Sequence, residues 1–266
     1  MNPWDILLPV LVVAAIALIA GIGLGIANRF MAVKENAKKV AIVEALPGAN
    51  CGACGFSGCQ GYAEALASEN GNVKKNLCVV GGDAVAAKIS EILGVEAGST
   101  AKVVAQVNCR GTADEAKANV IYVGVSSCKA ACAVYGGDKA CRYGCIGFGD
   151  CVKACEFEAI RVCNGVAVVS SDACRGCGKC ATVCPRNVIT IVPAGKKAAV
   201  LCSNPEKGPA TKAVCGVGCL GCRMCAKVCE AEAISFVDFR AVVDRNKCVG
   251  CGKCREACKF GVISLQ

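Results

Sequence analysis

The chain has 266 residues, of which 26 are cysteine, none is histidine and 5% are aromatic, and its formal charge is +9. Without histidine the common zinc-finger, haem and Rieske ligand sets are absent, as is the imidazole base of most hydrolases. Disulfide scaffolds of this cysteine density belong to short secreted chains, so thiolate ligation of metal is the first reading to test.

The chain opens on Ile6 to Ala27, 22 uncharged and almost wholly apolar positions. That run suffices to cross about 30 Å of bilayer as a helix. A signal peptide would begin with basic residues and carry a shorter apolar run, whereas only Asp5 precedes this one, so a retained transmembrane helix is expected. Arg29, Lys34, Lys38 and Lys39 follow it. By the positive-inside rule they place the remainder in the cytoplasm, in a single-pass protein of the inner (cytoplasmic) membrane. Cysteines in that reducing compartment bind metal in preference to cross-linking.

Cys51, Cys54, Cys59 and Cys78 come next as C-x2-C-x4-C-x18-C, within CGACGFSGC and ahead of a helix-like run. The glycines let the backbone approach inorganic sulfur closely and donate N–H bonds to it, which fits a [4Fe-4S] cluster; a structural zinc is the bland alternative.

Sliding the chain against itself by 74 positions aligns nine cysteines: Cys128, Cys141, Cys145, Cys151, Cys155, Cys174, Cys177, Cys180 and Cys184 fall on Cys202, Cys215, Cys219, Cys225, Cys229, Cys248, Cys251, Cys254 and Cys258. Intervening residues agree too, CVKACEFEAI with CAKVCEAEAI and CRGCGKC with CVGCGKC. Each copy reads as cysteine group, short strand (Val166 to Val169, Ala241 to Val243), cysteine group, short strand (Val188 to Val192, Gly261 to Leu265). Such segments are too short and too cysteine-rich for an apolar core, so metal must hold each module together. The expected organisation is α+β: a transmembrane anchor over 1–28, a small four-Cys iron-sulfur domain with linker over 29–120, and two tandem bacterial-type 2[4Fe-4S] ferredoxin-like modules over 121–193 and 194–266.

Cys174, Cys177, Cys180 and Cys184, with Pro185, spell C-x2-C-x2-C-x3-C-P, the run of bacterial two-cluster ferredoxins, in which the fourth cysteine serves the other cluster. Cys248, Cys251, Cys254 and Cys258 repeat it without the proline, as do Cys219, Cys222, Cys225 and Cys229. A zinc ribbon would leave the third closely spaced cysteine unused. In the first repeat Phe148 stands where Cys222 stands in the second, and Cys141 is the expected substitute ligand.

The expected ligand sets are therefore Cys51, Cys54, Cys59 and Cys78; Cys141, Cys145, Cys151 and Cys184; Cys174, Cys177, Cys180 and Cys155; Cys219, Cys222, Cys225 and Cys258; and Cys248, Cys251, Cys254 and Cys229. Cys215 is a spare or alternative ligand. About five [4Fe-4S] clusters result, with Cys109, Cys128, Cys132, Cys163 and Cys202 left over as buried thiols or toward a sixth. The cysteine-dense region carries the basic surplus, which four clusters of about −2 each would largely cancel. There is neither an aromatic stacking array nor a recognition motif for nucleic acid. The match of Gly216 to Gly221 to G-x-G-x-x-G opens no βαβ unit and is discounted.

With its anchor, CGACGFSGC, then GGDKACRYGCIGFGDCVKACEFEAI and CRGCGKCATVCPRNVI in that order, the chain resembles the B subunit of the Rnf complex over essentially its whole length. The resemblance implies a component of a membrane-bound, ion-translocating ferredoxin:NAD+ oxidoreductase. Such a component would accept electrons from reduced ferredoxin and relay them to membrane partners that carry the flavin and NAD sites. By the same resemblance it would have no substrate-converting site of its own. Glu156, Glu230 and Lys259 depart from the pattern, standing where proline usually follows the last cysteine. An iron-sulfur subunit of another membrane oxidoreductase, of hydrogenase or formate dehydrogenase type, and a membrane-anchored zinc adaptor are the competing readings. Lys74, Lys75, Lys196, Lys197, Lys207 and Lys212 lie off the cysteine loops and are expected either to form a docking face for acidic ferredoxin or simply to be solvated.

Overall fold

A computed structural model describes residues 3–31, 36–68, 73–96 and 98–265. The N-terminal run is one helix, α1 (Pro3–Met31), whose window Val10–Ala27 has a mean hydropathy of 2.8 and is nowhere buried by the rest of the chain. A helix apolar on every side, with no protein against it, is matched to lipid rather than water.

Three helices, α2 (Ala37–Ala45), α3 (Cys59–Ala67) and α4 (Gly82–Leu93), build the four-Cys domain around Ile42, Tyr62, Ala63, Leu66 and Ile89. Asn36 caps α2 by accepting from Lys38 N, and Gly94 in the left-handed region closes α4. The Tyr62 hydroxyl donates to Lys74 O at 2.8 Å, which ties the segment leading to Cys78 onto α3.

The remainder is two copies of one plan. In the first, β1 (Val103–Val107) pairs antiparallel with β4 (Ile189–Pro193), and β2 (Ile160–Cys163) with β3 (Val166–Val169). Along the chain α5 (Cys128–Tyr135) and the single turn α6 (Asp150–Lys153) precede β2, and the turn α7 (Lys179–Thr182) precedes β4. In the second, β5 (Ala198–Val200) pairs with β8 (Ile263–Leu265), and β6 (Ile234–Val237) with β7 (Arg240–Val243), joined by α8 (Gly208–Val214) and the turns α9 (Met224–Lys227) and α10 (Lys253–Glu256). Each core is small aliphatic residues interleaved with cysteines: Val104, Ile160, Val166, Val188 and Ile189 around Cys145, Cys151, Cys174 and Cys180 in the first, and Ala198, Val200, Val262 and Ile263 around Cys219, Cys225 and Cys254 in the second.

Two expectations change here. The first module, expected to start at residue 121, is completed by β1, which lies ahead of that boundary yet closes the sheet with β4. The 74-residue register also fails at its first cysteine. Ala105 N donates to Cys174 Sγ, and Ala198 N to Cys248 Sγ, so β1 and β5 are counterparts and Cys109, not Cys128, corresponds to Cys202. From Cys109 to Cys141 is 32 positions, against 13 from Cys202 to Cys215. The excess of 19 is an insertion unique to the first module, and it carries α5.

One glycine recurs in all four cysteine loops, two positions after the first cysteine, at Gly147, Gly176, Gly221 and Gly250, each with positive φ. A Cβ at Gly176 would sit 2.5 Å from Val103 O and one at Gly221 2.5 Å from Phe239 O, while at Gly147 and Gly250 it would run into the carbonyls of Gly165 and Lys196. The loop must lie flat on a neighbouring backbone at these points. Gly176→Ala is expected to cost more than about 1 kcal/mol, since strain and clash coincide. The check is the temperature at which the visible chromophore is lost, which should fall; an unchanged temperature would refute the close approach.

Candidate functional site

Most of the cysteines converge by fours on separate cavities. Cys51, Cys54, Cys59 and Cys78 line one of about 330 Å³, open mouth included, roofed by Leu46 and Tyr62. Asn50, at φ 44°, accepts from Cys59 N at 2.9 Å and so holds the loop onto the start of α3. Burial pushes the Cys78 thiol up despite the Gly81 N–H directed at it, and Cys59, Cys51 and Cys54 add to the effect.

Cys155, Cys174, Cys177 and Cys180 line a second cavity of about 310 Å³, and Cys219, Cys222, Cys225 and Cys258 a third of about 350 Å³. Cys174 Sγ accepts from Ala105 N at 3.3 Å and Gly176 N at 3.4 Å. Burial raises Cys180 and Cys225 to about 11. In the last group Cys254 is raised by burial and by the nearby thiols of Cys248 and Cys229; Cys248 accepts from Ala198 N and Cys229 from Ala233 N, both at 3.4 Å. Cys251 lies close enough to raise the pKa of Lys253, whose chief partner is Glu230.

The remaining group differs from expectation. Cys145, Cys151 and Cys184 share their cavity of about 380 Å³ with Cys128, not Cys141. Burial pushes Cys151 up to about 12, and Cys145, Cys128 and Cys184 all press on it. The cause is the insertion. Its Tyr122 packs on Phe148 with ring centroids 5.3 Å apart, and its helix α5 lays Cys128 and Ala131 against Ile146. Asp150, immediately before Cys151, fixes the start of that helix: its carboxylate accepts from Ser127 Oγ at 2.9 Å and Lys129 N at 3.0 Å. Cys128 belongs to no short motif; its signal in the sequence is the missing cysteine at Phe148, read together with the extra 19 residues. Cys141 and Cys215 instead meet Cys109 and Cys202 in a further cavity. Cys132 and Cys163 line none of the cavities described, and Cys163 accepts from Arg161 Nε at 3.3 Å.

Among the described residues, no three Cys, Asp or Glu side chains converge tightly enough to grip one metal ion. The thiols surround a space, with backbone N–H groups directed at the sulfurs, which suits a multi-iron cluster better than a tetrahedral zinc with sulfur at about 2.3 Å. The glutamates in place of proline pair across each module, Glu156 with Lys179 and Glu230 with Lys253. Lys179 also donates to Ala49 O at 3.2 Å, tying the four-Cys domain to the first module, and Cys51 is near enough to Cys177 to raise its pKa behind the larger effect of burial. Of the lysines expected on a docking face, Lys74, Lys196, Lys207 and Lys212 are exposed, whereas Lys197 is half-buried and spends its ammonium on Arg245 O. Lys207 also lies over the Phe239 ring, 5.7 Å from its centroid.

Three families match parts of the chain: a putative Fe-S cluster family over residues 46–80, a 4Fe-4S binding domain over 166–189 and a 4Fe-4S dicluster domain over 218–262. Similar proteins include the B subunit of the Na(+)-translocating ferredoxin:NAD(+) oxidoreductase complex of Acetobacterium woodii, 40% identical over 97% of this chain and 78% of that one. Its counterpart in the proton-translocating ferredoxin:NAD(+) oxidoreductase complex of Clostridium ljungdahlii is 40% identical over 91% and 86%. That of the ion-translocating oxidoreductase complex of Methanosarcina acetivorans is 39% identical over 96% of each chain.

Proposed function

Because the chain belongs to the family of B subunits of ion-translocating ferredoxin:NAD+ oxidoreductase complexes, we propose that it takes electrons from reduced ferredoxin and hands them to membrane subunits that hold the flavin and NAD sites. The observation that carries this reading is the recurrence of four-thiol cavities, one in the N-terminal domain, two in the first ferredoxin-like module and one in the second. When bound, a [4Fe-4S] cluster supplies a one-electron couple whose potential is set by hydrogen bonds to sulfur and by exposure.

The chain's own residues do the rest. We assign five clusters to Cys51, Cys54, Cys59 and Cys78; Cys128, Cys145, Cys151 and Cys184; Cys155, Cys174, Cys177 and Cys180; Cys219, Cys222, Cys225 and Cys258; and Cys229, Cys248, Cys251 and Cys254. N–H groups of Ala105, Gly176, Ala198 and Ala233 hold thiolate charge in place. The helix α1 anchors the protein in the membrane, with the basic residues after it keeping the clusters on the cytoplasmic side. No ionisable side chain lies within Val10–Ala27, so the translocated ion travels through other subunits. The relatives' names differ on which ion that is.

The test is anaerobic purification of the full chain in detergent, followed by mixing with reduced ferredoxin. A brown chromophore with equal iron and acid-labile sulfide, bleached by ferredoxin, is expected; a colourless zinc protein would refute the reading. If Lys74, Lys196, Lys207 and Lys212 steer docking, the rate should fall steeply with salt, since exposed charges are screened beyond about 8 Å at physiological ionic strength. A rate flat across salt would remove that face.

A further inference from the structure

Cys109, Cys141, Cys202 and Cys215 line a cavity of about 390 Å³, open mouth included, at the junction of the two modules. The ferredoxin pattern requires none of them. Each module contributes the same pair: Cys109 and Cys202 lie two residues beyond the counterpart strands β1 and β5, and Cys141 and Cys215 are repeat equivalents. The symmetry is that of a shared site, built half from each copy.

Its walls have the features of the other four-thiol cavities. Glycines take the places where side chains would crowd sulfur: a Cβ at Gly111 would lie 3.2 Å from Cys215 Sγ, and one at Gly144 3.4 Å from Cys109 Sγ and 3.5 Å from Cys141 Sγ. The N–H groups of Tyr143 and Gly144 point at Cys141, that of Val217 at Cys215, and those of Cys219 and Asn204 at Cys202. Asn204, 1% exposed, directs its Nδ2 at Cys141 Sγ from 4.0 Å.

A sign of negative charge in this region is Lys139, 8% exposed, which lines this cavity and also acts on the Cys145 thiol of the neighbouring one. Its ammonium donates to Gly111 O at 2.8 Å, Cys145 O at 3.1 Å and Gly165 O at 2.6 Å, and it makes no ion pair among the described residues. A cation buried among carbonyls alone is expensive unless an anion lies nearby, and a cubane with four thiolates carries about −2.

Building on the iron-sulfur reading above, we propose that Cys109, Cys141, Cys202 and Cys215 hold a sixth [4Fe-4S] cluster that joins the two ferredoxin-like modules. The site has a neighbour on each side. Cys109 presses on Cys145 of one cavity, whose thiol is raised chiefly by burial, and Cys202 accepts from the N–H of Cys219 of another. With Cys51 beside Cys177, and Cys151 beside Cys180, the four-thiol groups then run in one file from the anchored domain into the second module. The insertion braces the junction, since Lys117 N donates to Val214 O at 3.0 Å and Gly216 N to Glu115 O at 2.8 Å. Transfer along the file moves one electron at a time and makes or breaks no bond.

Native mass spectrometry of the anaerobic full-length holoprotein, with iron and sulfide analysis, tests this. The most heavily loaded species should carry six clusters, about 24 iron and 24 sulfide by the four-iron formula. The Cys202→Ser/Cys215→Ser variant should stop at five, and Cys132→Ser/Cys163→Ser should keep six. A ceiling of five in the unsubstituted chain, or six in the Cys202→Ser/Cys215→Ser variant, would overturn the proposal while leaving the electron-transfer reading intact. Zinc without sulfide would overturn both. A variant that misfolds will lose more than four iron, and the ceiling of the unsubstituted chain then decides alone.

Discussion

Cys128→Ser will remove one cluster, about four iron and four sulfide, whereas Cys132→Ser, one turn further along the same helix, will remove none. The asymmetry follows from the insertion in the first module. Phe148 occupies the place of Cys222, so Cys145, Cys151 and Cys184 need a fourth thiol, and α5 brings Cys128 into their cavity. Cys132 lies on the same helix face but does not line that cavity, packed instead at the margin of the Cys128, Ala131 and Ile146 cluster. Two further variants sharpen the test. Cys128→Ser combined with Cys141→Ser should lose two clusters, because the two thiols line separate cavities. Phe148→Cys placed in the Cys128→Ser background should restore the lost cluster, because it recreates the C-x2-C-x2-C bite of the second module. If Cys128→Ser keeps full iron, Cys128 is a bystander and the fourth thiol comes from elsewhere.

The ferredoxin loops were legible because their chemistry is local. Cys174, Cys177 and Cys180 reach one cavity from one short loop, and spacing alone encodes that. Cys128 and Cys109 were not legible, for a common reason. Each acts 17 or more residues from its nearest partner in the chain, and a constant 74-residue register conceals an insertion when a cysteine within it falls on a cysteine by coincidence. Cys128 matched Cys202 in that way and masked Cys109. The strand β1 was missed as well, since VVAQV gains its meaning only from pairing with Ile189–Pro193, more than 80 positions later. Lys139 carries no signal of its own, because nothing in the sequence shows that the carbonyls of Gly111, Cys145 and Gly165 would enclose it.

Stripping the clusters with chelator and oxidant should unfold the two ferredoxin-like modules while much of the helical signal survives. Among the described residues all four sheets are two-stranded, and an isolated pair of that size is marginal in water. The apolar cores are short aliphatic rows closed by Cys145, Cys151, Cys174 and Cys180 in one module and Cys219, Cys225 and Cys254 in the other, each row facing cavities of about 310 to 390 Å³. Without clusters those walls lose their contacts, and nothing else in the modules is large enough to replace them. The helix α1 and the four-Cys domain's core of Ile42, Tyr62, Leu66 and Ile89 do not depend on the modules. Alkali will not rescue the stripped chain. Burial raises Cys145, Cys180, Cys202 and Cys225 from an ordinary 9 to about 11, and Cys151 to about 12. Such thiols favour the folded apo chain below about pH 9 and oppose it as pH climbs through 11 to 12. Rebuilding must also expel those protons, so reconstitution should weaken as pH falls below neutrality. Hydrogen exchange reads the outcome strand by strand: amides of β1 to β8 should lose protection on stripping, with Ile89 on α4 retaining more. Strands that stay protected without iron would mean that apolar packing, and not the clusters, holds the modules together.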